Sequence, residues 1–238
     1  MILTLFQLIF TLLLYGVGAL VIGLSMLPGL YLLYGIWLHT ASLSLHMRLL
    51  MAALGLGASF FVFGITLMVL VSLIRIVFRL NLREGEYHIL SWGCVRWALA
   101  NALQLVVSAV FMDFVLLTPF ANLFFRMMGA RVGRNAQINS KFCADLSLLE
   151  LGDDAVIGGH ATVICHSFER HRLILKKVRI ARKAIIGLNA VVLPGCDIGE
   201  GALIAAGAVL GKGTVVPPHS VYSGVPAESA KERHQKEA

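Results

Sequence analysis

His160, His166 and His171 crowd one short stretch of this chain, with Glu169 among them. Imidazole ordinarily titrates near neutral pH, so a well-placed histidine can take a proton from a hydroxyl or an amine and hand it on. A neighbouring carboxylate can orient the ring. Three imidazoles together can instead hold a zinc ion. Four cysteines, Cys94, Cys143, Cys165 and Cys196, are scattered without a C-x-x-C pair, which suits reduced thiols rather than a disulfide framework or a zinc ribbon. Which chemistry prevails depends on the backbone that carries these side chains.

That backbone announces itself by a repeat. From Ile180 a large residue recurs every sixth position, through Ile186, Val192, Ile198, Ile204, Leu210 and Val216 to Tyr222. Four positions after each of the first seven stands a small residue: Ala184, Ala190, Cys196, Ala202, Ala208, Thr214 and Ser220. Glycine follows the large residue at Gly187, Gly199 and Gly211. Upstream the phase continues imperfectly through Val132, Ile138, Leu151, Ile157 and Val163. A period of six fits neither a 3.6-residue helix nor a two-residue strand alternation. It fits one short strand and one turn per hexad, with three hexads closing a triangular coil and coils stacking at about 4.8 Å. The pattern predicts a parallel β-helix without fixing its hand.

The phase fails once. Val163 to His166 belongs to a coil, Ser167 to Lys177 carries no hexad, and the repeat resumes near Ile180. Excursions from a solenoid gather on one face, often the binding face. His166 stands at the root of this one, where it is either a proton-transfer group or an exposed loop histidine. The stretch Arg170 to Lys183 holds seven Lys/Arg, to be read as a solvated face or as an anion site for phosphates or acidic lipid. Nothing here points to nucleic acid.

The first half is of another kind. The chain is 58% hydrophobic and 14% charged, and no Asp, Glu, Lys or Arg precedes Arg48. That run is too long for the apolar core of a signal peptide, about 7–15 residues, so it is expected to stay as membrane structure. Three stretches could span about 20 apolar residues. They are Ile2–Leu38 with a break expected at Pro28-Gly29, Leu49–Ile74, and Trp97–Phe125 with Asn101, Gln104, Asp113 and Pro119 inside it. Arg75, Arg79 and Arg83 follow the second stretch, Arg96 precedes the third, and Arg126, Arg131 and Arg134 follow it. Basic residues mark the cytoplasmic side, so the third stretch reads as an interfacial or re-entrant hairpin, with Asp113 at its apex and Trp92 and Trp97 as anchors. The expected organisation is a membrane domain over 1–128, a β-helix over 129–228 and a charged tail over 229–238.

The run "IGLNAVVLPGCDIGEGALIAAGAVLGKGTVVPPHSVYSGVPAE" resembles the hexapeptide-repeat acyltransferases, over roughly Val132 to Glu228. A further likeness covers "EGEYHILSWGCVRW", "RMMGARVGRNAQINS", "DLSLLELGDDAVIG" and "CHSFE". It is to the membrane-linked C-terminal modules of polylysine-synthetase-type peptide synthetases. The resemblance implies an α-helical membrane region followed by an all-β, left-handed parallel β-helix that assembles as a homotrimer. It implies a multi-pass protein of the cell membrane, in contact with membrane lipid, whose β-helix lies in the cytoplasm.

It further implies that His166 is a general base for acyl transfer from a thioester, acyl-CoA or carrier-protein-bound, to a hydroxyl or amine. Glu169 would orient the imidazole or bind the acceptor. The pantetheine arm would pass Ala206, Gly207 and Gly211, with Lys212 meeting phosphate. Glu228 follows Gly224-Val225-Pro226-Ala227 where soluble members commonly carry Lys or Arg, which opens the way to a carrier-protein donor. Two other readings remain. One is an amide-forming partner of a peptide synthetase. The other is a non-catalytic or zinc-binding trimer like the γ-class carbonic anhydrases, which take a ligand from repeats well upstream. No histidine stands in those repeats here, so no metal is expected.

Overall fold

The computed structural model describes residues 2–229, with side chains from residue 8 onward. Of the expected tail, all but Ser229 lies outside the described residues. Two long helices come first, α1 (Ile2–His39) and α2 (Leu45–Val77), packed as an antiparallel hairpin. The break expected at Pro28 is absent, and α1 runs straight through it. Proline is tolerated within apolar helices where a neighbour satisfies the backbone around it. Here Ser59 Oγ donates to Gly29 O at 2.9 Å, and a Cβ on Gly29 would lie 2.9 Å from Ser59 O. The small residue lets the two helices close up at this level. At 1.5 Å per residue α2 is about 50 Å long, more than a hydrocarbon core of about 30 Å requires. Arg48 lies over the Trp37 ring, 4.1 Å from its centroid, at the looped end of the hairpin.

After α2 the chain forms strand β1 (Gly85–His88), then α3 (Trp92–Val110), a short turn and α4 (Pro119–Met127). Leu8–His39, Leu45–Val77 and Trp92–Val110 are each long and apolar enough to cross a membrane. The third differs in what it touches. Trp97 and Asn101 reach Asp145, Gln104 donates to Cys143 O, and Asp113 pairs with Lys141 at 2.6 Å. Further on, Leu117 N donates to Ile138 O at 2.9 Å, Asn122 Nδ2 to Ala136 O at 2.8 Å, and Arg126 to Val132 O and Gly133 O. A segment held to the first coil at both ends and its middle lies across the base of the β-helix. Its other side meets α2, where Phe111 fills the space over Gly64 and stacks edge-on with Phe60.

The β-helix has three faces. The first pairs Gln137–Ile138, Val156–Ile157, Ile185–Ile186, Leu203–Ile204 and Val221–Ser223. The second pairs Thr162–Val163, Val191–Val192 and Val209–Leu210. The third pairs Arg131–Val132, Leu149–Leu151, Val178–Ile180, Asp197–Ile198 and Val215–Val216. All of these pairs are parallel. Ile186 opposes Ile204 and Val192 opposes Leu210, so each regular coil takes three hexads. The hexad residues point inward, and Ile186, Val192, Ile198, Ile204 and Leu210 are fully buried.

Corners require backbone of positive φ, which Asn, Asp and His tolerate and Gly adopts freely. Asn135, Asp154, Lys183, Gly201 and His219 occupy one corner column at φ from 54° to 63°. Each of the last four donates its N–H to the turn of the coil before it. A different demand falls on Gly187 and Gly199, where an added Cβ would lie 2.6 Å and 2.5 Å from backbone atoms of the next coil. Gly211 meets no such limit, its nearest neighbour being Thr214 Oγ1 at 3.6 Å.

This contrast is testable. Gly187→Ala should destabilise the β-helix by about 1–3 kcal/mol, the usual cost of overpacking, while Gly211→Ala should stay within about 0.5 kcal/mol of the parent. Denaturant titration of the purified protein followed by far-UV circular dichroism measures both.

Candidate active site

The break in the repeat is a β-hairpin. Strands β2 (His166–Glu169) and β3 (Arg172–Leu175) pair antiparallel, and β1 adds to β3, so three strands stand out from the corner between the second and third faces. Ile157 and Ile186 are partners, although the path between them exceeds a regular coil by the length of Ser167–Lys177. Arg170 and His171 form the tip, both at positive φ.

At the root of this hairpin His166 Nδ1 lies 2.6 Å from Asp145 Oδ2. Asp145 sits one coil below, in the first coil, where the path from Ile138 to its partner Ile157 is a single residue longer than a regular coil. Its φ of 57° turns the side chain under the His166 corner, and that side chain is fully buried. Four donors converge on the carboxylate. Oδ1 accepts from Trp97 Nε1 at 2.7 Å and Asn101 Nδ2 at 2.9 Å, and Oδ2 accepts from Cys165 N at 3.1 Å and from His166. A carboxylate is an acceptor with about four lone-pair sites, and all are used here. In the tautomer that carries its proton on Nδ1 the ring donates to Asp145, and Nε2 keeps its lone pair. Trp97 packs edge-on against the imidazole with centroids 4.9 Å apart, and Phe168, itself edge-on to Trp97 at 5.2 Å, adds a third ring at 6.2 Å. The His166 side chain retains 23% exposure.

Glu169 was expected to orient this ring, and it does not touch it. Its carboxylate pairs with Lys212 Nζ at 2.5 Å and accepts from Ser167 Oγ at 3.3 Å. Glu169 lies three positions out along an exposed strand, whereas a buried partner is available from the coil below. The hydrogen bond from Lys212 holds the Glu169 carboxyl below the usual carboxylate range. A depressed folded value means that this tie is present above the ordinary carboxylate range and is lost as the pH falls.

The expected donor residues are divided. Ala206 and Gly207 are exposed in the turn between the first and second faces, while Gly211 and Lys212 lie in the turn between the second and third, on the corner column of His166. The second face runs between the two turns. Nothing crowds Gly207, where an added Cβ would meet no atom within 4 Å.

The three histidines are separated. His160 occupies the corner between the first and second faces beside Phe142, and His171 lies at the hairpin tip. Among the described residues no group of three or more His, Cys, Asp or Glu is placed to hold a metal ion. Of the basic stretch, Arg172 pairs with Glu86, Lys177 and Arg179 with Glu150, and Arg182 with Glu200, so much of its charge is spent within the chain. Trp97, expected as a membrane anchor, is turned onto Asp145 instead, while Trp92 stays exposed.

Asp145, Trp97 and Asn101 were missed as site residues. A signal existed for Asp145: it opens the segment "DLSLLELGDDAVIG", just where the spacing from Ile138 to Leu151 carries one residue beyond two hexads. For Trp97 and Asn101 only their four-residue spacing on a polar helix face was visible.

No family model matches the chain. Two relatives are found by sequence. YvoF of Bacillus subtilis (strain 168), a protein named as an acetyltransferase, is 26% identical over 132 residues, 51% of this chain and 77% of its own length. Delta-poly-L-ornithine synthetase of Acinetobacter baumannii (strain AB307-0294) is 24% identical over 151 residues, 63% of this chain but only 11% of that protein. Among solved structures, a maltose O-acetyltransferase from Clostridium difficile 630 aligns with TM-score 0.48 and 18% identity, covering 63% of this chain and 92% of that one. The sequence relatives bear out the resemblance to an enzyme class, the hexapeptide-repeat acyltransferases. Within that class the likeness extends to modules of the peptide-synthetase type.

Cysteine chemistry is disfavoured at this site. Burial pushes the Cys143 thiol up to about 12, raises Cys165 well above its ordinary value with the charge of Asp145 adding to the effect, and raises Cys196 as well. Since the thiolate is the nucleophile, N-ethylmaleimide at pH 7.5 should leave all three unmodified in the folded protein and label them after denaturation. Peptide mass spectrometry distinguishes the two states.

Proposed function

We propose that this chain is a membrane-anchored acyltransferase in which His166 is the general base and Asp145 its orienting carboxylate. The observation that carries the reading is the Asp145–His166 contact of 2.6 Å at the interruption of the repeat. In the reaction Nε2 takes the proton of an acceptor hydroxyl or amine as that atom attacks the thioester carbonyl. The new C–O or C–N bond forms, the tetrahedral adduct collapses, the C–S bond breaks, and the imidazolium returns the proton to the departing thiolate. Asp145 holds the tautomer that leaves Nε2 free and steadies the transient imidazolium.

The donor is an acyl thioester. An acetyl-CoA donor accords with the name of the Bacillus relative, and Lys212, with the bare turns at Ala206, Gly207 and Gly211, offers it a cation and close access to backbone. Its phosphates would then compete with Glu169 for Lys212. Carrier-protein delivery is the alternative donor. Amide formation on aminoacyl thioesters is favoured by the match to the polyornithine synthetase, whose 151 aligned residues exceed the β-strand region Arg131–Ser229 and so extend into the helices.

A left-handed winding and a homotrimer follow from the resemblance. The outward side of the first face supports self-association, because Ile185, Leu203 and Val221 stack as a column of apolar residues about 40% exposed (43%, 38% and 42%). The domain limits 1–128 and 129–228 accord with the change from helices to coils between Met127 and Arg131. Arg75 bonds Met127 O and Arg126 bonds Val132 O and Gly133 O, so basic residues stand at the β-helix end of α2 and α4, which supports a multi-pass membrane protein with the β-helix in the cytoplasm.

The test uses purified full-length protein in lipid nanodiscs, with acetyl-CoA and panels of hydroxyl and amine acceptors, reading release of free CoA. His166→Ala should lose on the order of 10²–10⁴ in turnover, the usual share of a general base, and Asp145→Asn should fall in the same range. Glu169→Gln should change turnover by less than about tenfold, since an exposed ion pair contributes little. Equal turnover by wild type and His166→Ala would sink the proposal.

A further inference from the structure

Asp145 cannot be satisfied by the β-helix alone. Within the coils its carboxylate meets only Cys165 N and His166 Nδ1, and both bind Oδ2. Oδ1 takes both of its hydrogen bonds from α3, through Trp97 Nε1 and Asn101 Nδ2. These residues are four apart and so share one face of the helix, and Asn101 Nδ2 also donates to Trp97 O at 3.1 Å, which ties the two donors together. A buried carboxylate oxygen without partners is costly and would turn toward other donors or water. That turn would carry Oδ2 away from the imidazole.

We propose that Trp97 and Asn101 are positioning residues of the catalytic dyad, acting through Asp145, so that α3 on the membrane side is part of the active centre. The inference rests on the reading of His166 and Asp145 given above. It has two chemical consequences. Loss of either donor loosens the ring, and misplacement by about 1 Å costs on the order of 10²-fold in rate. Loss of a donor also changes how the carboxylate faces the imidazole, and with it the balance between imidazole and imidazolium. The other groups near His166 are Phe168 from β2, the ring of Trp97, the buried thiol of the preceding Cys165, and the Glu169–Lys212 pair farther along the hairpin.

The experiment compares Trp97→Phe, which keeps a ring and removes the N–H, with Asn101→Leu and the smaller change Asn101→Ser. Gln104→Leu serves as the control, because Gln104 lies on the same helix face and bonds Cys143 O rather than Asp145. Each full-length variant in nanodiscs is assayed for kcat, KM and the pH of half-maximal turnover, with thermal midpoints recorded alongside. The expected result is a roughly 10–100-fold fall in kcat at little-changed KM, with the half-maximal pH displaced from that of the parent. Gln104→Leu should lower the thermal midpoint without moving the pH profile. Folded Asn101 and Trp97 variants that keep the parent kcat and pH profile, or that match Gln104→Leu in both, would overturn the inference. Loss of the underlying reading looks different: His166→Ala would then be as active as the parent.

Discussion

One buried carboxylate organises this molecule. Asp145 is enclosed on all sides, and a charge in that position persists only when every acceptor site has a donor. The donors come from three places in the chain: the indole and amide of α3, the backbone of Cys165 and the imidazole of His166. Satisfying Asp145 therefore locks the base helix, the first coil and the root of the hairpin into one arrangement. That arrangement leaves one nitrogen of His166 bare.

The site arises where a regular structure departs from its own rule. A coil of three hexads has inward aliphatic residues, small corners and turns, and offers no buried polar group. A single extra residue in the first coil brings Asp145 to positive φ beneath a corner, and the longer insertion in the second throws out the hairpin that starts at His166. Because both departures fall in adjacent coils at the same corner, their side chains meet. The rigid stack on either side, with its fully buried Val163, Val192 and Leu210, holds that meeting in place. A pair of side chains on stacked coils is better fixed than one on free loops.

The helical part does more than anchor. A solenoid exposes backbone and core at its ends and needs a cap, and α3 and α4 cover the first coil here while α2 packs behind them through Phe111 and Gly64. The amide side chains of α3, Asn101 and Gln104, are the ones that bind the coil. The apolar helices and the Asp145–His166 pair are thus joined by a single helix.

Much of this was legible from residue types alone. A strict period of six dictates parallel coils, since no helix or flat strand repeats at that interval, and the gap after His166 marked the excursion and its root. Length and apolarity likewise separated the helical hairpin from the coils. What spacing could not supply was which carboxylate would meet the imidazole. Glu169, near in sequence, points along an exposed strand to Lys212, whereas Asp145, far earlier in the chain, lies directly beneath. Contacts between coils depend on register, and register was altered by an inserted residue whose effect appears only when the chain is wound. For the same reason Pro28 failed to break its helix and Trp97 turned onto Asp145: each answers to a neighbour distant in sequence, and only the packed chain brings such neighbours together.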